Sequence, residues 1–268
     1  MTRKPFVAGQ FYPGQPRELR EMLNLMTDPA AAKAEAIAVV SPHAGYVYSG
    51  AVAGAVFSSV AVPDTVLILG PGHRPIRPVF AVQSEGSWET PLGAAPIESR
   101  LAKALLKACP ACRSDAKAHE QEHSLEVQVP FLQHFNPDVS IVPVCISHAA
   151  SYADLDGLGR AVAEAVRGFG RAVLIVASTD MSHYVSRGEA KEKDGLAIDR
   201  ILALDPEGLF RTVLGEDISM CGFQPVTAAL VAARDLGAVK AELVSYATSG
   251  DVTGDDRGVV GYAGLRIL

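Results

Sequence analysis

Three apolar segments of this sequence are each followed closely by a histidine. They are Ala36 to Val40 before His43, Val66 to Leu69 before His73, and Val173 to Ala177 before His183. Short apolar runs of this kind predict buried strands. In an open α/β sheet, ligands bind just outside the carboxyl ends of the strands. We therefore expect these histidines to meet at one edge of a shared sheet.

His43 and His73 form the strongest candidate for a metal site, because neutral imidazole is the commonest metal ligand near neutral pH. Cys221 is the candidate third ligand. It comes just before a predicted helix, and a helix N-terminus stabilises the thiolate that binds metal. Taken singly, each histidine could instead be a hydrogen-bonded loop residue, and the cysteine a small buried hydrophobe.

Asp180, His183 and His123 are the candidates for proton transfer. Asp180 shares a loop with His183 and could bind the metal or orient a histidine ligand. His183 is a candidate general acid or base. We predict a helix from Glu122 to Phe135. His119 and His123 have the i, i+4 spacing of zinc-binding helices, but the pattern is not H-E-x-x-H, and His119 comes before the predicted helix start. Capping of a turn or of a helix start is the structural alternative.

Other motifs carry little chemistry. Cys109 and Cys112 form a single C-x-x-C at the end of a predicted helix, which predicts a surface loop more than a metal or redox site. Gly70 and Gly72 do not belong to a dinucleotide-binding motif, because position 75 is proline. The P-loop and the nucleophile elbow are both absent from the sequence.

Strands alternate with helices along the chain, which predicts an α/β fold. Two segments, Glu242 to Thr248 and Val259 to Ile267, flank a Gly/Asp-rich turn and predict a terminal antiparallel hairpin, so the sheet should be mixed. We expect one domain over residues 1–268, with three α/β/α layers and a mostly parallel sheet.

The composition of the chain limits the kinds of partner and the cellular location that we expect. The chain has 24 basic and 30 acidic residues, a net charge of −6, which does not favour nucleic acid or an anionic membrane as partner. We find no apolar run long enough for a transmembrane span and no signal peptide. Four cysteines in 268 residues suggest no disulfide framework, so we expect a cytoplasmic protein.

Seven motifs in order resemble the Memo family, also described as protein B of the AmmeMemoRadiSam system. They are Val7 to Pro13, Pro42 to Tyr46, Leu69 to His73, Thr90 to Gly93, Glu122 to Glu126, Ser178 to His183, and Cys221-Gly222. The resemblance covers nearly the whole chain. It implies a fold similar to class III, LigB-type extradiol dioxygenases, which use non-haem Fe(II).

The resemblance also implies a pocket in which His43, His73 and Cys221 bind iron or copper, with Asp180 and His183 close by. It implies a radical SAM protein and an AMMECR-type protein as partners. Eukaryotic members have been described as binding phosphotyrosine peptides in the same pocket. This chain departs from some members at Arg74 and at Phe223-Gln224, which weighs against peptide binding.

Three functions therefore stay open. The first is a metal-dependent, dioxygenase-like oxidoreductase of unknown substrate that uses iron or copper. The second is a non-catalytic adaptor that binds a peptide or protein. The third is a zinc-dependent hydrolase, because two histidines, one cysteine and a water make an acceptable open zinc site.

Overall fold

The computed structural model describes residues 2–76 and 78–268. Its strands are β1 (Thr2–Arg3), β2 (Ala38–Ser41), β3 (Thr65–Pro71), β4 (Phe80–Val82), β5 (Ser87–Thr90), β6 (Gly93–Pro96), β7 (Cys112–Ser114), β8 (Ser140–Ile146), β9 (Leu174–Ser178), β10 (His183–Val185), β11 (Ala241–Thr248) and β12 (Val259–Ile267). Its helices are α1 (Pro16–Met26), α2 (Tyr46–Ser58), α3 (Ser99–Ala108), α4 (Val129–Phe135), α5 (Tyr152–Phe169), α6 (Arg187–Leu202), α7 (Pro206–Gly215), α8 (Phe223–Asp235) and α9 (Gly250–Thr253).

A nine-stranded mixed sheet runs through the centre of the protein. Its strand order is β10-β12-β2-β9-β3-β8-β4-β7, with β11 paired to β12. The neighbours β2, β9, β3 and β8 are parallel, whereas β12 and β4 pair antiparallel with the two ends of this group. The predicted terminal hairpin is confirmed as the antiparallel pair β11 and β12. The parallel strands form the centre of the sheet and set its carboxyl edge.

Helices cover both faces of this sheet, so the central strands are buried on both sides. Alternate residues of each strand pack into separate cores. Val39, Ile68 and Val176 face a core shared with α1, α2 and α4. Val40, Leu69 and Ala177 face a core shared with α3, α5 and α8. Near-continuous apolar strands are what burial on both faces requires. The predicted three-layer α/β/α class is confirmed.

The predicted helix from Glu122 to Phe135 is wrong at its start. Helix α4 begins only at Val129, after a 3₁₀ turn over Glu126–Gln128. The Glu122 carboxylate accepts the N–H groups of His123 and Ser124, so a non-helical turn is favoured there. Pro130 lies in the first turn of α4, where its missing N–H costs nothing, and it does not kink the helix.

Helix α2 begins at Tyr46, and Ser49 lies inside it and donates to the Ala44 carbonyl. One further expectation needs correction. Cys109 and Cys112, predicted in a surface loop, are both buried. Within the described residues, every helix is too short or too polar to cross a bilayer.

Candidate metal centre

A titratable side chain lies two residues beyond the end of each central parallel strand. His43 follows β2, Asp180 follows β9, His73 follows β3, and His148 follows β8. Parallel neighbours end at the same edge of a sheet, so the four side chains gather there. The His43 and His73 rings lie 5.2 Å apart, and those of His73 and His148 6.4 Å apart.

The third imidazole at this edge is His123, from the irregular segment before α4. Its ring lies 4.5 Å from that of His73 and 5.6 Å from that of His43. One ring nitrogen of each histidine lies within 4.8 Å of the other two. We call His43, His73 and His123 the three-histidine cluster. His43 is buried, His123 is half-buried and His73 is exposed, so the cluster opens to solvent on the His73 side.

Hydrogen bonding assigns the tautomer of His43. The Ser178 hydroxyl donates its one proton to the Ser124 carbonyl at 2.6 Å, and its oxygen accepts from the Gln128 amide at 2.8 Å. His43 Nδ1 lies 2.9 Å from the same oxygen and must therefore be the donor. Nε2 of the neutral His43 ring therefore carries the lone pair, which is the form that binds a metal.

Glu122 sets the tautomer of His73 in the same way. Glu122 Oε1 lies 2.9 Å from His73 Nδ1, and its Oε2 accepts the backbone N–H of His73 at 2.6 Å. Burial alone would raise the pKa of Glu122, but the bond to His73 and the Ser124 N–H outweigh it and hold that pKa well below its usual range. The carboxylate is therefore charged and accepts the Nδ1 proton, so in the neutral form of the ring the lone pair lies on Nε2 of His73.

The surroundings of His43 and His123 hold both rings neutral. Burial, followed by the charges of His73 and His123, lowers the pKa of His43 well below its usual range. Burial lowers the pKa of His123 to about 4, against the opposing charge of Glu122. Neutral imidazoles whose ring nitrogens lie within 4.8 Å of one another are suited to share a transition metal. The donors present therefore fit a metal ion.

Cys221 lies on the far side of His43, just before α8. Its sulfur is 3.2 Å from His43 Nε2 and accepts the Asp180 N–H at 3.3 Å. Metal bonds of about 2.0 Å to nitrogen and 2.3 Å to sulfur, at a tetrahedral angle, separate the two donors by about 3.5 Å. The two atoms therefore suit a shared ion, although Cys221 is outside the compact three-histidine cluster. Burial, followed by the Asp180 charge, raises the pKa of the Cys221 thiol. Burial therefore outweighs the stabilisation of the thiolate that we expected from the helix N-terminus.

Asp180 and His183 frame the site without joining the cluster. Asp180 Oδ1 accepts the backbone N–H of His43 at 2.7 Å, and its Oδ2 lies 4.0 Å from His43 Nε2. His183 opens β10, and its Nδ1 donates to the Ser219 carbonyl at 2.9 Å. Burial raises the pKa of Asp180 to about 6, against the opposing effects of the His43 N–H and of the His183 charge. The strand β9 thus delivers Asp180 to the sheet edge, not His183.

A cleft of about 350 Å³ lies beside His73 and connects the cluster with solvent. Its wall includes Gly72, Arg74, Ser147 and His148. The guanidinium of Arg74 is held over the Phe6 ring at 5.7 Å. A small molecule in this cleft would reach His73 from the exposed side.

Sequence reasoning missed several parts of this site. His148 follows a predicted strand as His43 and His73 do, so the same rule applied to β8 would have found it. Glu122 was assigned to a helix, and its role depends on its burial beneath His73. Ser178 and Gln128 carry no signal in the sequence, because only the packed structure brings them to His43.

An α/β sheet with neutral histidines gathered at its carboxyl edge defines a class of candidate metalloproteins. This chain belongs to the Memo family: residues 3–266 match the family model described as Memo-like protein.

Its relatives extend over the full length of the chain. A MEMO1 family protein of Methanopyrus kandleri is 40% identical, covering 99% of this chain and 98% of the relative. One of Methanothermobacter thermautotrophicus is also 40% identical, over 99% of this chain and all (100%) of the relative. One of Thermotoga petrophila is 41% identical, over 98% of each.

A solved structure, that of the uncharacterised protein JW3007 from Escherichia coli K12, is 16% identical to this chain. Its TM-score is 0.48, with 78% of this chain and 88% of that chain covered. A similarity at this level carries no information on function.

Proposed function

We propose that this protein is a metal-dependent oxidoreductase that binds iron or copper through His43, His73 and Cys221. The observation that carries the proposal is that Ser178 and Glu122 engage Nδ1 of His43 and of His73, which leaves Nε2 of each neutral ring as the atom that can bind a metal. A soft sulfur ligand favours copper and zinc and still permits Fe(II). Two neutral nitrogens and one thiolate leave positions open for a substrate.

The bound metal would supply one-electron redox chemistry to a substrate in the cleft beside His73. His43 and His73 hold the metal, and Ser178 and Glu122 keep their rings oriented. His123 is neutral and its ring lies 4.5 Å from that of His73, so it is suited to accept a proton from a bound substrate. His183 has a free Nε2, because its Nδ1 is engaged by Ser219, and Asp180 holds the His43 backbone. His183 and Asp180 complete the proposed proton-transfer groups.

The test is elemental analysis of protein purified without oxygen. We expect about one iron or copper per chain, and His73→Ala should abolish that occupancy. His134→Ala is the matched control, because His134 lies apart from the cluster, with its Nε2 3.1 Å from Thr27 Oγ1, and should keep the metal. Equal metal content in all three proteins would overturn the proposal.

Zinc-dependent hydrolysis is a second candidate, favoured by the compactness of the three-histidine cluster. Three histidines with an open fourth position make a known class of catalytic zinc site. The two readings differ in their third ligand, which is Cys221 in the first and His123 in the second. Loss of metal in Cys221→Ser but not in His123→Ala supports the redox site. The reverse result, with zinc as the bound metal, supports hydrolysis.

The family resemblance adds a radical SAM protein and an AMMECR-type protein as proposed partners, and it keeps a peptide-binding adaptor as the non-catalytic alternative. Binding of purified partners to wild type and to His73→Ala separates these roles. Binding that is equal with and without metal supports the adaptor. Binding that requires the metal supports a partnership built around the redox site.

A further inference from the structure

Cys109 and Cys112 form a second site of chemistry, apart from the three-histidine cluster. Cys109 ends α3, and Cys112 begins the edge strand β7. The Cys112 N–H donates to the Cys109 carbonyl at 3.1 Å, which closes a turn with Pro110 at its second position. A turn of this kind keeps its first and last Cα atoms within about 7 Å, and a disulfide requires about 4.4–6.8 Å.

Both residues pack in the same apolar core and are almost fully buried, at 3% and 4% exposure. Among the described residues, the metal-type group is the three-histidine cluster, so no third donor completes a metal site around these cysteines. Two buried thiols that a tight turn holds close, without a further ligand, are suited to bond to each other.

We propose that Cys109 and Cys112 form a reversible disulfide when the protein meets hydrogen peroxide. The inference is independent of the metal centre. It requires a small oxidant, because the burial of both thiols excludes larger ones from the folded protein.

The chemistry begins at Cys109. The hydrogen bond from Cys112 is the largest cause that lowers the pKa of Cys109 to about 7; burial opposes it and the nearby Arg113 adds to it. The Cys109 thiolate attacks one oxygen of the peroxide, the O–O bond breaks, and the departing hydroxide takes up a proton to become water. Cys109 is then a sulfenic acid.

Cys112 completes the reaction. Its sulfur attacks the sulfenic sulfur of Cys109, the S–O bond breaks, and the hydroxyl leaves with the Cys112 proton as a second water. Two thiols and one peroxide have become one disulfide and two waters. A disulfide carries no charge, so it also suits the C-terminal end of α3, where the helix dipole disfavours a thiolate. A dithiol reductant reverses the reaction.

The sequence provides a direct readout, because trypsin cuts after Lys107 and Arg113 and releases one peptide, Ala108 to Arg113, with both cysteines. The reduced full-length protein is treated with peroxide, denatured, alkylated, digested and analysed by mass spectrometry. We expect the peptide to carry no alkyl group and to weigh two hydrogen atoms less than the reduced, unalkylated peptide, and we expect prior treatment with dithiothreitol to restore alkylation of both cysteines. The free thiols in denatured protein should fall from the four of the reduced chain to two.

Two outcomes overturn the proposal. One is a peptide that stays doubly alkylated at peroxide doses that already oxidise Cys221 or Cys145. The other is a glutathione adduct on Cys109 when oxidised glutathione replaces peroxide, because that would show the thiols to be open to a large oxidant. In native protein we expect oxidised glutathione to react at least tenfold more slowly than peroxide at equal concentration.

Variants separate the two cysteines. Cys112→Ser removes the resolving thiol, so Cys109 should be trapped as a dimedone adduct of its sulfenic acid. Cys145→Ser is the matched control, a second buried cysteine whose loss should leave the disulfide yield unchanged. If Cys112→Ser does not fold, the wild-type peptide measurement still decides the matter.

Discussion

Glu122 holds His73 through two hydrogen bonds at once. One carboxylate oxygen lies 2.9 Å from His73 Nδ1 and the other accepts the His73 backbone N–H at 2.6 Å. The same carboxylate also accepts the N–H groups of His123 and Ser124. A single buried side chain therefore fixes the position of two of the three clustered histidines.

The first prediction concerns Glu122→Gln, which keeps the size of the side chain but removes its charge. A carboxylate that orients a histidine ligand typically accounts for about 10–100-fold in metal affinity. We expect a loss of that size, measured by competition with a chelator of known affinity. Glu120→Gln is the matched control, because Glu120 is exposed and its change should leave affinity unaltered. Equal affinities in the two variants would contradict the orienting role.

The second prediction concerns Arg3, which anchors the N-terminal arm to the segment that carries His123. Its guanidinium pairs with Glu126 at 2.7 Å and donates to the carbonyls of His119 and Glu122, both at 2.7 Å. Both charged side chains are buried, so Arg3→Met leaves a buried carboxylate without its partner. We expect a loss of about 3–5 kcal/mol in the free energy of unfolding, measured in urea.

Lys4→Met is the control for Arg3. Lys4 pairs with Glu89 at 2.6 Å, but its side chain is 74% exposed, and exposed pairs contribute about 0–1 kcal/mol. A loss as large in Lys4→Met as in Arg3→Met would show that burial of the pair is not the cause.

The third prediction concerns pH and His119, which is buried against Trp88. Burial, followed by the charge of Arg3, lowers the pKa of His119 from its ordinary 6.5 to about 4. In the unfolded chain His119 therefore binds a proton near pH 6.5, whereas in the folded chain it binds that proton only near pH 4. Its contribution to stability is complete above pH 6.5 and is lost as the pH falls through that window.

The expected change in the free energy of unfolding is about 3 kcal/mol, because each unit of pKa difference between the folded and unfolded states corresponds to about 1.4 kcal/mol. His119→Phe cannot bind the proton, so its stability relative to wild type should rise as the pH falls from 7.5 to 4. Urea unfolding of both proteins across that range measures the difference. Parallel pH profiles would rule out His119 as the group responsible.

The fourth prediction concerns Gly222, which lets the Cys221 segment approach β9. A Cβ added at Gly222 would lie 2.3 Å from the Ser178 carbonyl oxygen. Gly222→Ala must therefore push the segment away, at a cost of about 1–3 kcal/mol, and lower metal occupancy by displacing Cys221. Thermal unfolding and elemental analysis of the same preparation measure the two effects.

Gly195→Ala is the matched control for Gly222. Gly195 lies within α6 with no heavy atom within 4 Å of an added Cβ, so the change should stabilise the helix by about 0.5–1 kcal/mol and leave the metal in place. If Gly222→Ala keeps full metal occupancy, Cys221 does not depend on this close approach.

The sequence alone determined the elements that create the sheet edge. Apolar runs predicted β2 and β3, and the rule that ligands bind beyond the carboxyl ends of strands predicted that His43 and His73 would meet. These features are local, since they depend on residue type and spacing over fewer than about ten positions.

Only the tertiary structure decided which other side chains join them. His123 reaches the cluster because the Glu122 carboxylate accepts its backbone N–H, which favours a turn where we had predicted a helix. Glu122 is in place to do so because it is buried beneath His73 and also accepts the His73 N–H. His183 was expected at the edge but is carried into β10 instead. Contacts between segments far apart in the chain depend on packing and burial, which residue spacing does not encode.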